Sequence, residues 1–280
     1  MARAAGRRVA TALVRPQRRP PYQSGGSSYP RPHHTRHRTP RPIYFSLDNV
    51  RVLLLLLLAF PLRGAEVRVF AAASLTEALE EIAQKYERAS GDRVVFNFGA
   101  SSMLARQVEE GAPADLLLSA DERVRTTRLA ERKSVLSNTL VIVTRDKRVK
   151  HPRDLIGLKL ALAEPSTVPA GIYARTYLQK LGLWERVKPN VIPTDNVRAA
   201  LAAVESGNVD AAIVYRTDAR ISKEVRIAYA VPRAEGPRIA YLFAVVKDAE
   251  QPRAARRFFA YLQTKPALDV FRKHGFDVLR

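Results

Sequence analysis

From residue 66 onward, short runs rich in Val, Ala, Ile and Leu alternate with longer stretches in which apolar residues return every three or four positions. The runs at 67–72, 93–98, 114–118, 139–144, 158–162, 189–193, 210–214, 226–230 and 239–246 have the length and composition of buried strands. The periodic stretches at 75–89, 102–110, 121–130, 170–181, 196–206, 251–264 and 265–274 read as helices. This alternation predicts an α/β fold whose mainly parallel sheets are flanked by helices. Gly91-Asp92 and Gly207-Asn208 fall where helix C-caps belong. No internal repeat stands out. The strands at 139–144 and 240–246 are alike in length and buried character, which suits two lobes joined by a pair of connecting strands. On that plan 66–143 with 240–280 make lobe 1, the inserted 144–239 makes lobe 2, and a cleft lies between them.

The pattern breaks before residue 66. Residues 1–49 form a basic extension that lacks an apolar period over 1–45 and reads as disordered. In residues 50–65 Arg51 precedes about nine apolar residues and Pro61, and small residues follow around Arg63, the order of a secretory signal peptide. The apolar run is too short to span a bilayer, and cleavage is expected after Gly64 or Ala65. A signal placed fifty residues into a chain predicts that translation starts near Leu47 or Val50, with 1–46 an upstream extension.

Charge follows the same division. Residues 1–65 hold 12 of the 47 Lys and Arg and one of the 27 acids, so 66–280 carries only +9 of the net +20. A basic arm for nucleic acid is the disfavoured reading of the N-terminus; no nucleic-acid partner is expected. The chain has no cysteine, which excludes disulfides, thiolate metal sites, a Cys nucleophile and a lipid anchor on an N-terminal Cys.

Candidate chemistry gathers at five turns that follow predicted strands, where open α/β sheets collect their ligands. At Ala72-Ala73-Ser74, the Ser74/Glu77 spacing is that of a capping box. At Gly99-Ala100-Ser101-Ser102, either serine can cap the next helix. Val168-Pro169-Ala170-Gly171 puts Pro near a helix start, and Asp195-Asn196-Val197 offers two candidate caps. Ile213-Val214-Tyr215 ends a buried run in a phenol. Each alone reads as an ordinary cap or core residue. Together they offer many neutral donors and few carboxylates, which suits a fully deprotonated anion; a protonated phosphate would also need an acceptor.

Enzymatic readings find little. Phosphate-loop, dinucleotide, zinc-protease and nucleophile-elbow motifs are missing from the sequence. Outside the leader only His151 and His274 remain, and both read as structural. The pairs Glu80-Glu81 and Glu109-Glu110 read as solvated helix faces, and no metal cation site stands out.

The strings Val69-Phe70-Ala71-Ala72-Ala73-Ser74-Leu75, Gly111-Ala112-Pro113-Ala114-Asp115 with Ser119-Ala120-Asp121, Val168-Pro169-Ala170-Gly171-Ile172-Tyr173-Ala174, Asp195-Asn196-Val197-Arg198 and Ile213-Val214-Tyr215 resemble, in this order, the periplasmic molybdate-binding proteins of bacterial ABC importers. The resemblance covers essentially all of 66–280. It implies an α/β, two-lobed class II periplasmic-binding-protein fold that closes on one tetrahedral oxyanion, with no enzymatic activity and no cofactor. Carried over by position, the ligand contacts are the hydroxyl and N–H of Ser74 and Ser101, the N–H groups of Ala170 and Val197, and the Tyr215 hydroxyl. They touch the oxyanion's oxygens and do not ligate the metal directly. Where the family commonly shows several serines after the Phe, Gly99-Ala100 here precede Ser101-Ser102, and Ser101 aligns best.

The implied partners are molybdate, tungstate of nearly the same size, and a membrane permease, with the protein acting in the periplasm as a monomer. The nearest alternative ligand is sulfate, thiosulfate or another oxyanion. The alternative role is the ligand-sensing domain of a regulator, which predicts an upstream helix-turn-helix that the Pro- and Arg-rich 1–65 does not suit.

Overall fold

The computed structural model describes residues 64–279. The basic extension at 1–49, the alternative start and nearly all of the signal segment at 50–65 lie outside the described residues.

In chain order the strands are β1 (Glu66–Ala72), β2 (Arg93–Gly99), β3 (Leu116–Ser119), β4 (Leu129–Ser137), β5 (Leu140–Thr144), β6 (Leu160–Ala163), β7 (Val191–Thr194), β8 (Ala211–Tyr215), β9 (Arg226–Ala230), β10 (Ala240–Val246) and β11 (Asp277–Val278). The helices are α1 (Thr76–Ser90), α2 (Ser101–Glu109), α3 (Pro169–Lys180), α4 (Trp184–Val187), α5 (Val197–Glu205), α6 (Arg216–Ala219), α7 (Pro252–Tyr261) and α8 (Lys265–Lys273). Short 3₁₀ turns fill Ala73–Leu75, Pro152–Leu155 and Lys188–Asn190.

The strands form two sheets, ordered β11-β4-β10-β3-β1-β2 and β7-β6-β8-β5-β9. Both are mixed. In the first, β1 pairs in parallel with β2 and β3, and β10 joins β3 antiparallel. In the second, β6 pairs in parallel with β7 and β8, and β5 joins β8 antiparallel. The order β2-β1-β3-β10-β4 is thus matched by β7-β6-β8-β5-β9. The two sheets repeat one topology, although no repeat is visible in the sequence. The chain crosses from the first sheet to the second between Ser137 and Leu140 and returns between Ala230 and Ala240. The strand β5, grouped by sequence with lobe 1 as far as residue 143, hydrogen-bonds in the second sheet.

Local patterning accounts for most elements. Helix α1 buries Ala78, Leu79, Ile82, Ala83 and Tyr86, one face at helical spacing, against the first sheet. It ends at Gly91, whose φ of 76° is the left-handed conformation a C-cap requires. Strands β3, β5, β6, β8 and β10 are buried along their whole length, so they read as continuous apolar runs.

One expected element is wrong. No helix forms at 121–130; residues 121–128 are irregular and Leu129 opens β4. The Asp121 carboxylate accepts from the Arg123 backbone and guanidinium, and Glu109 accepts from Thr126 and Thr127. These side-chain bonds give the backbone an alternative to the helix. Strand β4 itself lacks alternation because its middle, Ala130 to Lys133, is exposed.

Candidate functional site

The residues that follow β1, β2, β6, β7 and β8 meet at one small cavity between the sheets. Ser74, Ser101, Ala170, Val197 and Tyr215 all line it, with Ala72, Ala73, Gly99, Ala100, Ala120, Val168, Pro169 and Asn196 completing the wall. Its free space is about 230 Å3, against about 810 and 1380 Å3 for the two clefts that flank it. Ser102 lines those clefts and not the cavity. No carboxylate or cationic side chain belongs to the lining.

Each donor is freed by a specific local arrangement. Asn196 caps α5, its Oδ1 accepting from the Arg198 and Ala199 N–H groups at 2.9 and 3.1 Å. That leaves the N–H of Val197, the first helical residue, without an intrahelical acceptor. In α3, Pro169 has no N–H to satisfy and the Ile172 N–H already bonds to the Val168 carbonyl. The Ala170 N–H is free for the cavity. Gly171 lets α3 pack tightly here, since a Cβ at that position would overlap the Ala163 carbonyl oxygen.

The serines differ from their expected roles as caps. The capping box of Ser74 and Glu77 does not form, because a 3₁₀ turn precedes α1 and Leu75 takes the N-cap position. The Ser74 hydroxyl instead lies 3.0 Å from the Tyr241 hydroxyl, and Glu77 pairs with Arg198. Ser101 is the first residue of α2 rather than its cap, and its Oγ accepts from the Ala120 N–H at 2.9 Å. Ala120 is held by the Ser119-Asp121 turn, in which the Ser119 hydroxyl donates to the Asp121 carbonyl and accepts from its N–H. Tyr215 is 1 % exposed, and its hydroxyl has no partner in the protein. Burial pushes that phenol well above its ordinary pKa, so it stays a donor.

The nearby charges are consumed before they reach the cavity. Arg198, next to Val197, is bridged by Glu77 and by the fully buried Asp218. Burial pushes the Asp218 carboxyl up to about 6, and Arg198 opposes that rise. Arg123 is paired with Asp121 and stacks 5.4 Å above the Tyr173 ring. Among the described residues, no group of three or more His, Asp or Glu is placed to hold a metal ion.

Sequence reasoning missed Ala120, which lines the cavity, and Asn138, Thr217 and Tyr241, which support the lining from behind. The Ser119-Ala120-Asp121 string was visible, but nothing in it assigned a role to an Ala N–H. Two other readings change. Glu81 is not a merely solvated face: it binds Lys85, Lys273 and His274. Glu109 binds Thr126 and Thr127. Asp115, from the Gly111 to Asp115 string, is a structural clamp, accepting from the N–H groups of Arg68 and Gln251.

Comparison with known proteins places this arrangement. The family described as bacterial extracellular solute-binding protein matches residues 67–277. The chain belongs to that family. The molybdate-binding protein ModA of Escherichia coli (strain K12) is 38% identical over 230 residues, covering 76% of this chain and 89% of its own. Among solved structures, the periplasmic molybdate-binding protein of Azotobacter vinelandii superposes with a TM-score of 0.70 at 20% identity, over 76% of this chain and 100% of its own. The sulfate-binding protein SubI of Mycobacterium tuberculosis H37Rv gives 0.66 at 19% identity, over 77% and 87%. Those two likenesses establish the two-lobed fold of periplasmic binding proteins and say nothing of the ligand.

Proposed function

We propose that this solute-binding protein captures molybdate in the cavity at Ser74, Ser101, Ala170, Val197 and Tyr215 and delivers it to the permease of an ABC importer. The observation that carries the reading is a small cavity between the sheets whose lining holds hydroxyls and helix N-termini but no charged side chain, with the buried Tyr215 hydroxyl left unpartnered. A polar atom buried without a partner costs about 1–3 kcal/mol, and an anion seated here removes that cost. A dianion without a proton fits a donor-only wall, whereas a protonated phosphate places its own hydroxyl against donors. The identity to the Escherichia coli relative supports molybdate as the dianion. The protein binds its ligand without transforming it.

Tungstate, nearly the size of molybdate, belongs to the same ligand set. The lobes are the two sheets with their helices, closing over the anion. The apolar run before residue 61 is read as an export signal, which puts the working protein, a monomer, outside the cytoplasmic membrane. Among the described residues no helix is long and apolar enough to cross a membrane.

Calorimetric titration of the exported region with molybdate, tungstate and sulfate tests this reading. Molybdate and tungstate are expected to bind with similar affinity and sulfate more weakly. Sulfate binding as tightly as molybdate would replace molybdate transport with the broader oxyanion reading.

A further inference from the structure

Behind the cavity, a chain of buried side chains joins the two points where the backbone passes between the sheets. Asn138 lies between β4 and β5, Tyr241 is the second residue of β10, and Thr217 belongs to α6. Asn138 Oδ1 accepts the Thr139 N–H at 2.9 Å, which fixes which end of the amide is which. Both amide hydrogens are then committed: Nδ2 donates to Thr217 Oγ1 at 2.9 Å and to Tyr241 Oη at 3.3 Å. Tyr241 Oη therefore accepts from Asn138, and its own proton is left for Ser74 Oγ, 3.0 Å away. Ser74 Oγ accepts that proton. Its remaining hydrogen can only turn away from Tyr241, into the cavity. All three groups are buried: Tyr241 is 0%, Asn138 3% and Ser74 3% exposed.

We infer that Tyr241 and Asn138 are positioning residues that set the direction of the Ser74 hydroxyl, holding it as a donor to the bound anion. The inference rests on the oxyanion site proposed above and adds the reason that site offers donors and no acceptor. A serine alone is ambivalent, since its hydroxyl can donate or accept. Here the choice is made at Asn138, two hydrogen bonds from the ligand. The Ala120 N–H occupies one of the two Oγ lone pairs of Ser101.

A double-mutant cycle in the full chain tests this, with molybdate titrated calorimetrically. Tyr241→Phe keeps the ring, which packs edge-on against Phe276 and lies 5.9 Å from the Tyr215 ring. It is expected to weaken molybdate about tenfold, the size of one hydrogen bond to a charged group. Ser74→Ala should weaken it by at least as much, and adding Tyr241→Phe to Ser74→Ala should cost less than a further twofold. Additive losses would overturn the inference and leave Tyr241 a packing residue.

Asn138→Asp supplies a second readout that a packing role would not move. Its carboxylate takes the Tyr241 proton, Ser74 must donate to Tyr241, and a serine lone pair then faces the anion. The loss should exceed that of Ser74→Ala, and Ser74→Ala in the Asn138→Asp background should restore affinity; a further loss there would count against the relay. If Asn138→Asp does not fold, the Tyr241 cycle decides alone. A parental chain that binds sulfate and not molybdate would sink the ligand assignment only, and the same cycle is then read with sulfate.

Discussion

At the residue scale, Tyr215 concentrates the energetics of the site. Its hydroxyl is buried without a protein partner while its ring packs against Tyr241, so it carries a desolvation cost that a bound anion would remove. Tyr215→Phe removes the cost together with the donor. Oxyanion binding is expected to weaken by roughly 1.5–3 kcal/mol, the worth of a hydrogen bond to a charged group, while the ligand-free melting temperature stays level or rises. Calorimetry and thermal unfolding of the same sample check both halves. A fall in ligand-free stability would show that the hydroxyl has a protein partner after all. That Ser74, Ser101, Ala170, Val197 and Tyr215 converge on one cavity was legible in the sequence, because small and hydroxyl residues at strand-to-helix turns have few other uses in such number. Their support was not. Ser74 and Tyr241 lie 167 positions apart, and Asn138 and Tyr241 lie 103 apart, so no local pattern announces the contact. Tyr241 sits in a uniformly buried strand, where a phenol reads as another core ring.

At the scale of elements, the sequence was most informative where periodicity and caps agree. Helices α1 and α5 end near the glycines expected to stop them, and of the two candidate caps before α5 Asn196 is the one used. It failed at 121–130, where acidic side chains capture the backbone, and at Ser74, where a tertiary hydroxyl outcompetes a local cap. It also undervalued Glu81. This carboxylate on α1 binds Lys273 and His274 at the end of α8, as well as Lys85 one turn along α1. The bond from Lys273, then those from His274 and Lys85, hold its pKa down to about 2, against an ordinary 4.5. A carboxyl with a lowered native pKa stabilises the fold above its unfolded pKa and loses that contribution as pH falls. The docking of α8 on α1 should therefore weaken between about pH 4.5 and 2. Glu81→Gln is expected to lower the melting temperature at pH 7 and to converge on the parent as pH falls through that window. Parallel curves at all pH values would remove Glu81 from the account.

At the scale of the whole molecule, two sheets of one topology present equivalent turns to a shared cavity. Ser74 and Ser101 follow β1 and β2 of the first sheet; Ala170 and Val197 follow β6 and β7, the matching strands of the second. On the proposed site, binding needs both sheets brought together, and contacts across the gap set how readily they stay so. The contact best placed to do this is the pair between Glu77 of α1 and Arg198 of α5, with Nη1–Oε1 and Nη2–Oε2 distances of 2.8 and 2.5 Å. Arg198 is also held by Asp218 on its own side, so separating the sheets strands neither charge: Arg198 keeps Asp218 and Glu77 gains water. The pair consequently favours closure only by the worth of a partly exposed, two-pronged ion pair, on the order of 0.5–1 kcal/mol. A ligand's apparent affinity scales with the population competent to hold it. Glu77→Gln should thus weaken molybdate by about two- to fivefold. The change should appear in the release rate, since a broken closure contact acts after the anion has arrived. The ligand-free melting temperature should be unaltered within about a degree, because Glu77 loses only a contact that exists across the gap. A stopped-flow chase with excess tungstate measures the release rate directly. A ligand-free melting temperature that falls in step with the faster release would mean that the pair holds the fold together rather than the closed state.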